Sequence, residues 1–143
     1  MELAGTGVET TDVGRAYVDV LVVDDDASVR NSMTAVLRSG GFGVRDAGDG
    51  QEAMEVLAHT DVGVVLLDLM MVPRDGIWLL EHMQQLPLGA PPPVVIVVSA
   101  FALYEPDEVL ARFAGVVSHA LKKPVAPRVL IDLVRDALAE RGR

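Results

Sequence analysis

Five short runs of aliphatic and β-branched residues recur along the chain, each followed by a segment of helical period, and no other feature restricts the fold so tightly. The runs are YVDVLVV (17–23), FGVRDA (42–47), VGVVLL (62–67), VVIVV (94–98) and VVSHAL (116–121). After the first, Val29, Met33, Val36 and Leu37 return three and four positions apart; after the second, Ala53 and Leu57 do so. GIWLLEHMQQL follows the third and EPDEVLARF, the shortest, the fourth. PRVLIDLVRDALAE follows the fifth, with Leu130, Leu133, Val134, Ala137 and Leu138 on one stripe and Pro127 suited to its first turn. Nearly continuous apolar strands are buried on both faces, and strand–helix alternation calls for parallel pairing through right-handed crossovers. The expected fold is α/β: five βα units making a doubly wound, five-stranded parallel sheet.

A chain of 143 residues holds one such domain. Residues 1–16, polar and without period, are expected to be a flexible arm, and 17–143 the domain. Half the residues are hydrophobic but only 4% aromatic, so Val, Leu, Ala, Ile and Met must build the core. The Pro-rich LPLGAPPP (86–93) must be a loop. A formal net charge of -9 disfavours nucleic acid and anionic membrane surfaces as partners. The absence of cysteine excludes disulfides, thiolate metal sites and thiol catalysis. With neither a leader-like start nor a bilayer-length apolar run, the expectation is a soluble, cytoplasmic protein. GTGVETT (5–11) resembles a phosphate-cradling loop, but it precedes the first strand and so lacks the helix N-terminus that would hold a phosphate.

In parallel sheets functional groups gather beyond the carboxyl ends of the strands. Strand one ends in Asp24, Asp25 and Asp26, strand three in Asp68, strand four in Ser99 and strand five in Lys122-Lys123-Pro124. Two carboxylates about 4 Å apart repel by roughly 4 kcal/mol at an effective dielectric near 20. A proton or a cation must relieve Asp24, Asp25 and Asp68. An all-oxygen donor set with room for water suits Mg²⁺, or Mn²⁺ in its place. Ser99 and Lys123 would offer a hydroxyl and a positive charge to an incoming phosphoryl group, with Asp68 as the nucleophile that becomes an acyl phosphate. The only two lysines of the chain stand in this Lys-Lys-Pro triplet.

VLVVDDD (20–26), VVLLDLMMVPRDG (64–76), VVIVVSA (94–100) and KKP (122–124), in this order and spacing, resemble the receiver domain of bacterial two-component response regulators, over roughly residues 17–140. The resemblance implies a flavodoxin-like strand order 2-1-3-4-5. It also implies Mg²⁺ held by Asp25, Asp68 and the backbone carbonyl of Met70, with Asp24 acting through water. Asp68 would be the phosphoacceptor, with Ser99 and Lys123 on the phosphoryl oxygens. Such a domain signals; it is not an enzyme beyond its own Mg²⁺-dependent phosphorylation and dephosphorylation. Implied partners are a sensor histidine kinase or phosphotransfer protein, a downstream protein effector, and a second copy of the chain through helix 4, strand 5 and helix 5. The sequence ends in AERGR straight after the last helix, so the expectation is a single-domain regulator without an output domain, with a receiver cut from a longer regulator as the alternative.

Two departures from the family pattern stand out. Val72-Pro73 replace the usual turn after the phosphoacceptor, and Pro73 pushes Val72 toward an extended backbone. The aromatic switch residue of the fifth strand falls on Ala120, or on His119 if a bulge absorbs one extra residue. That extra residue also raises Lys122 as a rival to Lys123. A phosphorylation-independent pseudo-receiver is therefore an alternative function. A haloacid-dehalogenase-type hydrolase is a poor one, since Met70 stands where its second Asp would be. Plainer roles are expected elsewhere: Asp26 as a helix N-cap, Lys122 as a surface residue, His59 and His82 facing solvent, His119 packing in its strand, and Trp78 and the methionines in the core.

Overall fold

The computed structural model describes residues 9–10, 16–71, 74–85 and 92–141. Its strands are β1 (Glu9–Thr10), β2 (Ala16–Val23), β3 (Val44–Ala47), β4 (Thr60–Leu67), β5 (Val94–Ser99) and β6 (Val117–Lys122). Its helices are α1 (Ala27–Ser39), α2 (Gly50–His59), α3 (Gly76–Gln85), α4 (Pro106–Arg112) and α5 (Pro127–Arg141). The five apolar runs become β2 to β6, all parallel and ordered β3-β2-β4-β5-β6, which is the expected 2-1-3-4-5.

Local chemistry sets the boundaries. β3 starts two residues later than its apolar run because α1 ends in a tight turn: Gly41 adopts φ 93, and the Gly41 and Phe42 N–H groups donate to Arg38 and Leu37 carbonyls. That turn consumes Phe42 and Gly43. β4 starts two residues earlier than expected, because Thr60, the residue capping α2, is already extended. Asp26 caps α1 as expected, accepting from the N–H groups of Ser28 and Val29. The short β3 pairs only with Val20 to Val23, and Glu9 and Thr10 pair antiparallel with Tyr17 and Ala16 on the same edge of β2. Part of the segment expected as an arm thus covers backbone that β3 leaves open. Most of LPLGAPPP and of GTGVETT lies outside the described residues, as do Val72 and Pro73.

Alternation along the strands divides the core in two. Leu21, Val65, Val97, Leu79, Leu80 and Phe113 pack on the side of α2, α3 and α4. Val20, Val22, Leu66, Ile96, Leu37, Leu130 and Val134 pack on the side of α1 and α5. Each large side chain buried here stabilises the fold by roughly 1.5–3 kcal/mol. The central strands are held on both faces, and their carboxyl ends are correspondingly fixed. Among the described residues no helix is long and apolar enough to cross a membrane.

Candidate functional site

At the end of β2 the chain turns through three acids. Asp24 stays in the sheet, its N–H donating to the Ala47 carbonyl at 3.1 Å. Its carboxylate, only 2% exposed, accepts from Asp26 N–H at 2.9 Å through Oδ1 and from Lys123 Nζ at 2.7 Å through Oδ2. Asp25 is exposed. From α1, Arg30 reaches back over the turn: Nη1 donates to the Asp24 carbonyl at 2.7 Å and Nε to Asp46 Oδ2 on β3 at 2.9 Å.

Asp68 follows β4, and its N–H extends the ladder to the Val23 carbonyl at 2.9 Å. Its carboxylate accepts from Met70 N–H at 3.3 Å and from Lys123 Nζ at 3.5 Å. Gly76, at the start of α3, closes this loop by donating to the Leu69 carbonyl. A Cβ there would stand 2.6 Å from the Asp68 carbonyl oxygen, so only glycine fits. One carboxylate oxygen from each of Asp24, Asp25 and Asp68 lies within 4.8 Å of the others.

The far side comes from β5 and β6. Ser99 is fully buried, and its hydroxyl accepts from Phe101 N–H at 3.4 Å. Lys123 N–H donates to the Ser99 carbonyl at 2.8 Å, fastening the lysine beside the serine. Lys123 and not Lys122 enters the site; Lys122 is exposed. The extra residue of this strand is absorbed by a bulge. Val95 pairs with Val117 but Ile96 with His119, leaving Ser118 over, its hydroxyl donating to the Val95 carbonyl at 3.1 Å. The bulge precedes His119, so it does not turn His119 inward as a bulge was expected to do; Ala120 lies opposite Val97 and packs into the core on the α4 side. His119 is exposed, its Nδ1 3.0 Å from Ser118 Oγ, so the expectation of a packed strand histidine is corrected.

Other expectations also need amending. His59 faces solvent, but His82 is half-buried and lies against Trp78, ring centroids 4.0 Å apart. Met70 is not core: it is 39% exposed at the mouth of the site, because the turn after Asp68 points it outward. Sequence reasoning missed Arg30 and Gly76. Arg30 looked like any charged helix residue, and only its partner sixteen residues away reveals its position. Gly76 had a local signal, as the glycine opening a helical run behind the acid.

Burial holds the Asp68 carboxyl above the usual carboxylate range; Asp24 adds to this, while Lys123, the Met70 N–H and Ser99 offset part of it. Burial alone would lower the Lys123 ammonium, but its hydrogen bond to Asp24 and the charges of Asp68 and Asp24 outweigh that and raise it. The pocket thus holds a buried, partly compensated excess of negative charge. Its donors are all oxygen and one, on Asp25, is open to water, a set that fits a hard divalent cation.

The sequence pattern of the response regulator receiver domain matches residues 20–135, and the chain belongs to that family. It is 33% identical over 124 residues to the response regulator MprA of Mycobacterium sp. (strain KMS), covering 85% of this chain and 50% of that protein. It is 36% identical over 121 residues to the transcriptional regulatory protein GlrR of Escherichia coli (strain K12), covering 85% of this chain and 26% of that one. The chain spans half or less of the length of these curated relatives. Among solved structures, the receiver domain of Francisella response regulator 1452 superposes with TM-score 0.74 at 26% identity, covering 86% of this chain and 98% of that one. A CheY-like receiver domain protein from Methanospirillum hungatei JF-1 superposes with TM-score 0.77 at 24% identity, over 88% and 97%. The latter supports the fold alone.

Proposed function

We propose that this receiver domain accepts a phosphoryl group on Asp68 and transmits that event to a protein partner. The observation that carries the reading is the meeting of Asp68 with Asp24, Asp25, Ser99 and Lys123 at the carboxyl end of one sheet. Asp24, Asp25, Asp68 and the Met70 carbonyl would hold Mg²⁺ or Mn²⁺. The ion would neutralise the acids and draw charge from the phosphoryl oxygens. An Asp68 oxygen forms the new O–P bond as the donor's P–N or P–O bond breaks, the electron pair leaving with the donor. Lys123, already against Asp68 and Asp24, turns its ammonium to the phosphoryl oxygens, and the Ser99 hydroxyl donates to another.

The donor is proposed to be a histidine kinase or phosphotransfer protein in the cytoplasm. The receiver of the signal is a downstream protein, reached through the face of α4, β6 and α5, where a second copy of the chain could also dock. Whether that output lies in the same polypeptide or another, the receiver's part is a shift between two arrangements of that face. Ala120 takes the switch position on β6.

One observation favours a phosphorylation-independent reading: Lys123 Nζ, 2.7 Å from Asp24, relieves the acid cluster without any metal. Incubation with Mg²⁺ and acetyl phosphate, followed by intact mass measurement, separates the two. The expected result is a single phosphoryl adduct that requires the metal and is lost in Asp68→Asn. Absence of any adduct would establish the pseudo-receiver instead.

A further inference from the structure

We infer that Arg30 is a positioning residue for the cation site: it fixes the direction in which Asp25 presents its carboxylate. The inference rests on the reading of the acids as a divalent-cation site. Asp24 is held by its own contacts, with Lys123 on one oxygen and the Asp26 N–H on the other. Asp68 has the Met70 N–H and Lys123. The Asp25 carboxylate has no hydrogen-bond partner among the described residues. What holds Asp25 is backbone, and the peptide plane joining it to Asp24 carries the carbonyl on which Arg30 Nη1 closes at 2.7 Å.

The guanidinium is itself braced. Its Nε donates to Asp46 Oδ2 at 2.9 Å, and its side chain is only 20% exposed. The arginine therefore ties three elements: α1, the β2 end and β3. A planar fork with donors in fixed directions can hold a carbonyl and a carboxylate at once, which the single ammonium of lysine cannot do with the same geometry. Groups that orient metal ligands from behind commonly alter metal affinity about 10–100-fold when removed.

The sign of the effect separates positioning from charge. Arg30 is a cation close to a cation site, so electrostatics alone predict that Arg30→Gln binds Mg²⁺ more tightly. Positioning predicts the reverse.

The test is Mg²⁺ titration by calorimetry on wild type, Arg30→Gln, Arg30→Lys and Asp46→Asn. Hydrogen exchange at the Asp25 and Asp26 amides is followed in metal-free protein, and phosphorylation by acetyl phosphate is followed across Mg²⁺ concentrations. The expected result is Mg²⁺ affinity about tenfold weaker in Arg30→Gln and a smaller loss in Arg30→Lys and Asp46→Asn. Those two amides should exchange faster, and the phosphorylation rate at saturating Mg²⁺ should stay within about twofold of wild type. Unchanged or tighter Mg²⁺ binding by folded Arg30→Gln, even with a lower Tm, would reduce Arg30 to a structural brace and overturn the inference. If Arg30→Gln does not fold, equal Mg²⁺ affinity in wild type, Arg30→Lys and Asp46→Asn would do the same. A wild type that takes up no Mg²⁺ would overturn the reading of the site and the inference together.

Discussion

The two halves of the pocket are built differently. On the acid side β2 and β4 pair in unbroken register from Ala16 to Val23, and the ladder runs on into Asp24 and Asp68. Among the described residues the turns there are fastened: Asp26 caps α1, Arg30 holds the Asp24 carbonyl, and the Gly76 N–H donates to the Leu69 carbonyl. On the hydroxyl and lysine side the pattern is irregular. β6 carries a bulge at Ser118, and Phe101, two residues beyond Ser99, sits at φ 55, a left-handed conformation that costs a side-chain-bearing residue on the order of 1–2 kcal/mol. Its N–H bond to Ser99 is long at 3.4 Å. A rigid half suits groups that must hold a fixed charge geometry; a half with strain and a loose hydrogen bond suits groups that must rearrange when a ligand arrives.

Four substitutions probe that contrast. The largest effect is expected from Lys123→Ala, which strips the buried Asp24 carboxylate of its cation. Metal-free protein should lose about 3 kcal/mol, measured by urea unfolding, with part of the loss restored by millimolar Mg²⁺. Next comes Gly76→Ala on the rigid side. A methyl 2.6 Å from the Asp68 carbonyl forces the loop apart, with an expected loss of about 2 kcal/mol and no compensating rearrangement.

Asp68→Asn should stabilise the metal-free protein at neutral pH, raising Tm by about 4 °C, the shift expected from about 1 kcal/mol in a domain of this size. The sign follows from its titration. The folded-state pKa of Asp68 lies above the ordinary carboxylate value of 3.8, so the charged group costs stability above that raised pKa, and the cost disappears as the pH falls to 3.8 and below. The advantage of Asp68→Asn should therefore shrink on acidification; an advantage that persists below 3.8 would mean that removal of charge is not its origin. The smallest effect is expected from Phe101→Gly, where relief of the left-handed backbone offsets lost packing, leaving stability within about 1 kcal/mol of wild type. A loss of several kcal/mol, seen in thermal melts, would show that the loop is not strained.

Much of this was legible in the sequence because it depends on local pattern. Period-two and period-3.6 runs place β2 to β6 and all five helices, and an acid immediately behind four apolar residues, as at Asp68, needs partners wherever it lies. What escaped depends on register and on long-range contact. The choice between Ala120 and His119 turned on where one extra residue is absorbed, and only the pairing of Ile96 with His119 reveals the bulge at Ser118. Arg30 escaped because its two partners sit on other elements. The outward Met70 escaped because apolar composition says nothing of which way a turn points.

The contrast between a regular acid half and an irregular hydroxyl half can be tested directly by hydrogen exchange of the Mg²⁺-loaded protein with and without acetyl phosphate. Exchange should change in residues 99–105 and 117–123, while the amides of residues 24–30, around the Arg30 clamp, keep their rates to within about twofold. Changes concentrated in residues 24–30, with the β5 and β6 ends unaltered, would contradict the account.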